Sequence, residues 1–299
     1  MLEEVRNGAV FAFLNHLDFF SKIRNMPYSL VKGAALSKQC YGNESERRYN
    51  DIDLLVPKAF LGDLENHLLQ MGFHSRPSSM KDYRLERILC LSSSHQIIPY
   101  VRTIGNQSIV IDVNFDIFWG EYEGKKINME QFLADAIEMD IYGTKVKTLP
   151  PLKAMVQLVL HHYKDMNSIF LLATRNTIRS EMFKDIYFLL KNNIEDISVQ
   201  NLLRISKEYE IIPYVFYVLF YTKQIFGDSF LLEYLEAFRT PEGEKLLNAY
   251  GLCKKERKEW TVDFRTRLES NDLNDYIEGY LTERDRRKIQ LNKQIFMGG

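Results

Sequence analysis

The sequence predicts an α+β chain, a mixed sheet flanked by helices and followed by a helical bundle, and three observations carry that expectation. Short runs rich in Ile, Val and Leu, bounded by turn residues, recur through the first half, which is the pattern of strands. Segments of helical spacing stand between some of those runs. From residue 151 onward helical periodicity dominates, with Gly, Pro or Asn at the joins.

The first segment, "MLEEVRNGAVFAFLNHLDFF", carries Glu3 and Glu4 where a signal peptide would be positive, and polar residues interrupt its apolar stretch. It reads as an amphipathic helix. "SLVKG" (29–33) reads as a strand, "AALSKQCY" as a short helix ending at Gly42 and Asn43, and "DIDLLV" (51–56) as a second strand. "KAFLGDLENHLLQMG" (58–72) has helical spacing through Phe60, Leu61, Leu64, Leu68 and Leu69, with Gly72 as its stop. "ILCLSS" (88–93), "QIIPYV" (96–101) and "SIVIDVNFDIF" (108–118) are expected as strands, and so is "TKVKTL" (144–149). Pro150 and Pro151 then suit the start of a helix, where a missing N–H costs nothing. The expected division is therefore residues 1–149, a helical domain over 150–261, and a charged, partly ordered tail over 262–299.

Composition narrows the function classes. A chain of 299 residues is about twice the usual single-domain length, and its formal net charge of -1 provides no global attraction for nucleic acid or anionic lipid. The run "YVFYVLFY" (214–221) is far short of the roughly 20 residues that span a bilayer, so no membrane association is expected. The 3 cysteines, Cys40, Cys90 and Cys253, are too widely spaced for a zinc site and odd in number for a disulfide framework. Together these features point to a cytoplasmic protein.

The stretch with chemical content is "VKGAALSKQCYGNESERRYNDIDLLV" (31–56). In a strand alternate side chains share a face, so Asp51 and Asp53 project together while Ile52, Leu54 and Val56 point into the core. The same alternation in "IVIDVNFDIF" turns Asp112, Asn114 and Asp116 away from Ile111, Val113, Phe115 and Ile117. If the two strands are neighbours, Asp51, Asp53 and Asp112 converge. Clustered carboxylates repel one another unless a cation joins them, and hard oxygen donors suit Mg²⁺. Gly33, at a strand-to-helix junction, lets backbone approach a ligand, and the amides of Ala34, Ala35 and Leu36 open a helix whose N-terminal end attracts phosphate. Arg47 and Arg48 add bidentate phosphate donors.

These residues resemble the nucleotidyltransferase superfamily of the DNA polymerase β type, which pairs a small-residue turn with Asp-hydrophobic-Asp and a third carboxylate on a later strand. The fuller string "KGAAL…Y…R…DIDLLV", with "HH" in a later helix, is similar to the bacterial branch of uncharacterised nucleotidyltransferases. The resemblance implies a polymerase-β-like domain, Asp51, Asp53 and Asp112 as catalytic ligands of a pair of Mg²⁺ ions, and nucleotide binding by Lys32, Gly33, Ala34, Ser37, Arg47 and Arg48. It also implies transfer of a nucleoside monophosphate from an NTP, ATP by abundance, with pyrophosphate released. A small-molecule acceptor ranks first, ahead of a protein, peptide or tRNA, and ahead of a catalytically silent nucleotide-binding role. The chain departs from the family pattern in having Gly33-Ala34 where Gly-Gly or Gly-Ser is usual, and Asn114 where relatives often carry histidine.

Other polar residues read as structural. His161 and His162 are adjacent on a helix and face different sides, so they do not form a metal pair. Asp185 is expected to brace the bundle, and Tyr214, Phe216, Tyr217, Phe220 and Tyr221 to fill its core.

Overall fold

The computed structural model describes residues 2–75, 83–105, 107–118, 127–175 and 177–297. They divide into two compact units, one reaching Ala154 and the other beginning at Met155.

The first unit begins with helices α1 (Leu2–His16) and α2 (Phe19–Lys22). Strand β1 (Ser29–Val31) leads into α3 (Gly33–Tyr41), and β2 (Ile52–Leu55) leads through a 3-10 turn into α4 (Leu61–Gln70). Next come β3 (His74–Ser75), α5 (Tyr83–Ser93), β4 (Tyr100–Ile104) and β5 (Gln107–Asn114). A short α6 (Met129–Leu133) precedes β6 (Ile137–Ile141) and β7 (Thr144–Thr148).

The strands form one 7-stranded sheet in the order β3-β4-β5-β2-β1-β7-β6. Strand β2 runs antiparallel to β1 and parallel to β5, so the sheet is mixed, as expected. Its core joins Phe11, Leu14, Phe19 and Phe20 of the first helices to Leu30, Ile52, Leu54, Ile111 and Val113 of the central strands. Leu61, Leu64 and Leu68 add the buried face of α4, spaced by three and four residues as on an amphipathic helix.

Two expectations about strands need correction. "ILCLSS" lies in helix α5, where Glu86 and Cys90, one turn apart, are buried while Leu85 and Ile88 are exposed. A short apolar run does not by itself separate helix from strand, and here burial repeats every fourth residue. In "QIIPYV" only Tyr100 and Val101 belong to a strand. Pro99 has no N–H to give a ladder, and before it the chain touches β5 through the Gln96–Asn114 bridge and the Ile97 amide on the Val113 carbonyl (3.1 Å). The hairpin of β6 and β7 was not anticipated. Tyr142 and Gly143 both have positive φ, 48° and 74°, as a two-residue turn matched to strand twist requires.

The second unit is helical, and the division between the units falls inside α7 (Pro151–Asn167). Helices α8 (Ile169–Arg175), α9 (Ser180–Asn192), α10 (Val199–Glu208) and α11 (Ile212–Phe226) follow, then α12 (Leu231–Phe238) and α13 (Pro241–Leu247). Tyr214, Phe216, Tyr217 and Tyr221 of α11 are buried. A small ribbon, β8 (Ala249–Tyr250) with β9 (Lys258–Glu259), comes before α14 (Phe264–Glu269), α15 (Asn274–Ile277) and α16 (Glu283–Phe296). Helix α16 starts with a capping box in which the Thr282 and Asp285 side chains each accept from the other's backbone amide. It is tied back by Lys258–Asp285 at 2.7 Å and Lys288–Glu256 at 2.5 Å. No helix among the described residues is long and apolar enough to cross a membrane.

Candidate active site

The candidate site lies wholly in the first unit, where β1, β2 and β5 are neighbours. At the end of β1 the backbone turns through Lys32, with φ 54° and ψ -148°, and Gly33, with φ 43°. Glycine takes such a φ at little cost. Lys32 does not, because its conformation belongs to a region that β-carbon sterics nearly reserve for glycine. The turn starts α3, with the Leu36 amide donating to the Lys32 carbonyl at 3.0 Å. Ala34 is buried at the start of this helix, and the Tyr49 ring covers Gly33, where an added β-carbon would stand 3.5 Å from it.

The carboxylates come from the next two strands. Asp53 on β2 is the register partner of Asp112 on β5, in a parallel pairing that also sets Ile52 opposite Ile111 and Leu54 opposite Val113. Register partners share a face of the sheet, and Asp51, just before β2 rather than in it, is near enough to feel the charges of Asp53 and Lys32. The strand adjacency expected for Asp53 and Asp112 is therefore present. Asp53 is buried, with 4% of its surface exposed.

Lys32 faces this group. Its Nζ lies 2.5 Å from Asp53 Oδ1, and both side chains are largely withdrawn from water. Burial alone would lower the lysine pKa, but Asp53, helped by Asp51 and Asp112, outweighs it and holds the ammonium above its ordinary value. Asp51 is shifted upward, first by burial and then by the negative charge of Asp53, against the opposing pull of Lys32 and Arg47. On the other side of Asp53, the Asn114 amide nitrogen lies 3.5 Å from Oδ1 and 3.3 Å from the Leu54 carbonyl. Asn114 thus helps orient Asp53. Its place on the Asp112 side of the alternating strand was the signal in the sequence.

The loop between α3 and β2 holds the remaining predicted residues. Ser37 is fully buried; its hydroxyl donates to the Asn43 carbonyl at 2.7 Å and accepts from the Arg47 amide at 3.0 Å. The structure therefore commits Ser37 to fixing the loop. Arg47 is half-buried and close enough to Asp51 to favour its ionised form, whereas Arg48 is exposed. As the side chains stand, no group of three or more His, Cys, Asp and Glu among the described residues is arranged to hold a metal ion. In the second unit, His161 and Lys164 both meet Asp165 on α7, at 3.3 and 3.4 Å.

No curated protein matches the sequence. Among solved structures, the chain is similar to the antibiotic-resistance factor ANT(2'')-Ia in solution, with 16% identity and a TM-score of 0.38 over 68% of this chain and 94% of that one. A crystal structure of ANT(2'')-Ia in complex with adenylyl-2''-tobramycin gives 14% identity and a TM-score of 0.36 over 68% and 99% of the two chains. An antigenic nucleotidyltransferase-like protein from Paracoccidioides brasiliensis gives 18% and 0.35 over 70% and 88%. Likenesses at this level say nothing of substrate or acceptor. The family model described as uncharacterised nucleotidyltransferase, by contrast, matches residues 5–227. That span takes in the turn, the carboxylate strands and the helices through α11, and on this match the chain belongs to that family and is a nucleotidyltransferase.

Proposed function

We propose that the chain moves a nucleoside monophosphate from an NTP, with ATP the first candidate, to a hydroxyl of a small-molecule acceptor. The observation that carries this reading is the register of Asp53 against Asp112, beside a Lys32–Gly33 turn on the adjoining strand. Hard carboxylate oxygens on one sheet face, two of them from neighbouring strands and already balanced by a cation, are the donor chemistry Mg²⁺ prefers. Asp51, Asp53 and Asp112 are the residues that would hold it. When bound, such ions neutralise charge on the attacking and leaving oxygens.

The chain's own groups would do the rest. Amides at the start of α3 would donate to phosphate oxygens, since the first turn of a helix has N–H groups without an intrahelical acceptor. Gly33 would let the triphosphate approach the backbone, and Arg47 and Arg48 would receive its β- and γ-phosphates as charged donors. Ser37 would hold the loop that carries Arg47. Asp112 would take the proton of the acceptor hydroxyl as its oxygen bonds to the α-phosphorus, the bond to the bridging oxygen breaks, and pyrophosphate departs. Catalysis of this kind is mainly positioning and charge stabilisation.

A small acceptor is favoured because a net charge of -1 supplies none of the long-range attraction that polyanionic substrates exploit. The test is incubation of the protein with Mg²⁺ and α-labelled NTPs in the presence of separated metabolite, RNA and protein fractions. Label should enter the metabolite fraction and fail to do so with Asp112→Asn. Label entering only RNA or protein would replace the acceptor class, and transfer undiminished in the variant would remove Asp112 from the reaction.

A further inference from the structure

The position of Lys32 carries a consequence beyond nucleotide binding. Two local costs accompany a lysine here. Its backbone occupies a conformation in which a side chain is strained. It is also the residue immediately before α3, the end of a helix where a positive charge is unfavourable. Glycine would avoid both. The return is an ammonium 2.5 Å from Asp53, itself buried, and electrostatically favoured by Asp51 and Asp112 as well. Lys32 therefore stands where the carboxylate charge is concentrated, and a divalent ion on Asp53 would compete for the same oxygen.

Building on the assignment of Asp51, Asp53 and Asp112 as metal ligands, we propose that Lys32 is a tethered counter-cation. It keeps the carboxylates assembled in the metal-free protein and must leave Asp53 before a divalent ion can be held there. The device makes the site self-neutralised at rest and weakens metal binding in the absence of nucleotide. An incoming triphosphate, with several anionic oxygens, offers the released ammonium another partner, so nucleotide and metal favour each other's binding.

The test uses Mn²⁺ alone as the probe, measured by calorimetry on folded wild type, Lys32→Met, Lys32→Arg and Asp53→Asn. Removing the cation that competes for the Asp53 oxygen should tighten nucleotide-free Mn²⁺ binding by Lys32→Met about tenfold or more. Lys32→Arg should stay near wild type. Binding that depends on Asp53 but is no tighter in Lys32→Met would overturn the counter-cation role while leaving the metal-ligand assignment in place. Binding indifferent to Asp53→Asn would overturn both. Should Lys32→Met not fold, acylation of the wild-type lysines followed by mass spectrometry decides the matter. Reactivity of Lys32 should rise severalfold when Mn²⁺ is added, and unchanged reactivity at saturating Mn²⁺ would contradict the proposal.

Discussion

Lys32 Nζ and Asp53 Oδ1 are 2.5 Å apart at the junction of β1, β2 and α3, with 16% and 5% of their side chains exposed. Each is the charge that makes the other's burial tolerable. Replacing Asp53 leaves the buried Lys32 ammonium without its contact partner, with Asp51 and Asp112 offsetting the loss only in part, so Asp53→Asn should lower folding stability by about 3 kcal/mol. Urea denaturation at neutral pH checks this. A change under about 0.5 kcal/mol, the range of ordinary surface substitutions, would show that the pair is open to water.

Gly33 is required by its φ of 43° more than by lack of space, because the nearest atom to an added β-carbon is in the Tyr49 ring at an ordinary contact distance of 3.5 Å. Gly33→Ala should therefore cost about 1–2 kcal/mol from backbone strain. It should also weaken NTP binding, since it alters the opening amides of α3. Paired melting and NTP-binding measurements would show both effects.

Ser37→Ala removes the donor to the Asn43 carbonyl and the acceptor for the Arg47 amide. With both partners left in the structure, the expected loss is about 1–3 kcal/mol. Because Arg47 rides on this loop, the variant should raise KM for the NTP by severalfold and change kcat less. Steady-state kinetics with the labelled nucleotide would separate the two.

Much of this arrangement was legible in the residues. The alternation in "DIDLLV" and "IVIDVNFDIF" identified two strands with carboxylates of one parity, and the sheet does set Asp53 against Asp112. Gly33 was readable as a special turn because glycine is the residue for positive φ. The conformation of Lys32 was not, since periodicity says nothing about a non-glycine residue in that region. Ser37 pointed, by type and position, toward phosphate; its burial beneath the returning loop is a tertiary fact that no local pattern carries. Helix α5 was hidden by the apolar run Ile88–Leu91, of which Cys90 is buried and Ile88 exposed, while the buried residue one turn before Cys90 is the charged Glu86. The strand Ile137–Ile141 has a clear apolar alternation, but its Tyr142–Gly143 turn lacks the Asn or Asp that usually announces such a hairpin.

Asp285 gives the last helical segment a pH dependence. Burial opposes its ionisation, but Lys258 and the Thr282 amide and hydroxyl outweigh burial and hold its pKa below the usual aspartate value. A depressed folded-state pKa means stability that is present above the unfolded value and lost as pH falls through the folded one. Denaturation midpoints should thus fall more steeply below about pH 4 in wild type than in Asp285→Asn, which should be weaker at neutral pH and flatter in acid. Parallel acid slopes in the two proteins would remove Asp285 from this role.

The most direct test of the central claim is calorimetric binding of each of the four NTPs, with and without Mg²⁺, to wild type and to the Asp51→Asn/Asp53→Asn double variant. The carboxylate site predicts Mg²⁺-dependent binding of at least one NTP by wild type, lost in the variant although it remains folded. Mg²⁺-dependent binding of equal strength in the two proteins, or no binding by folded wild type under any condition, would contradict it.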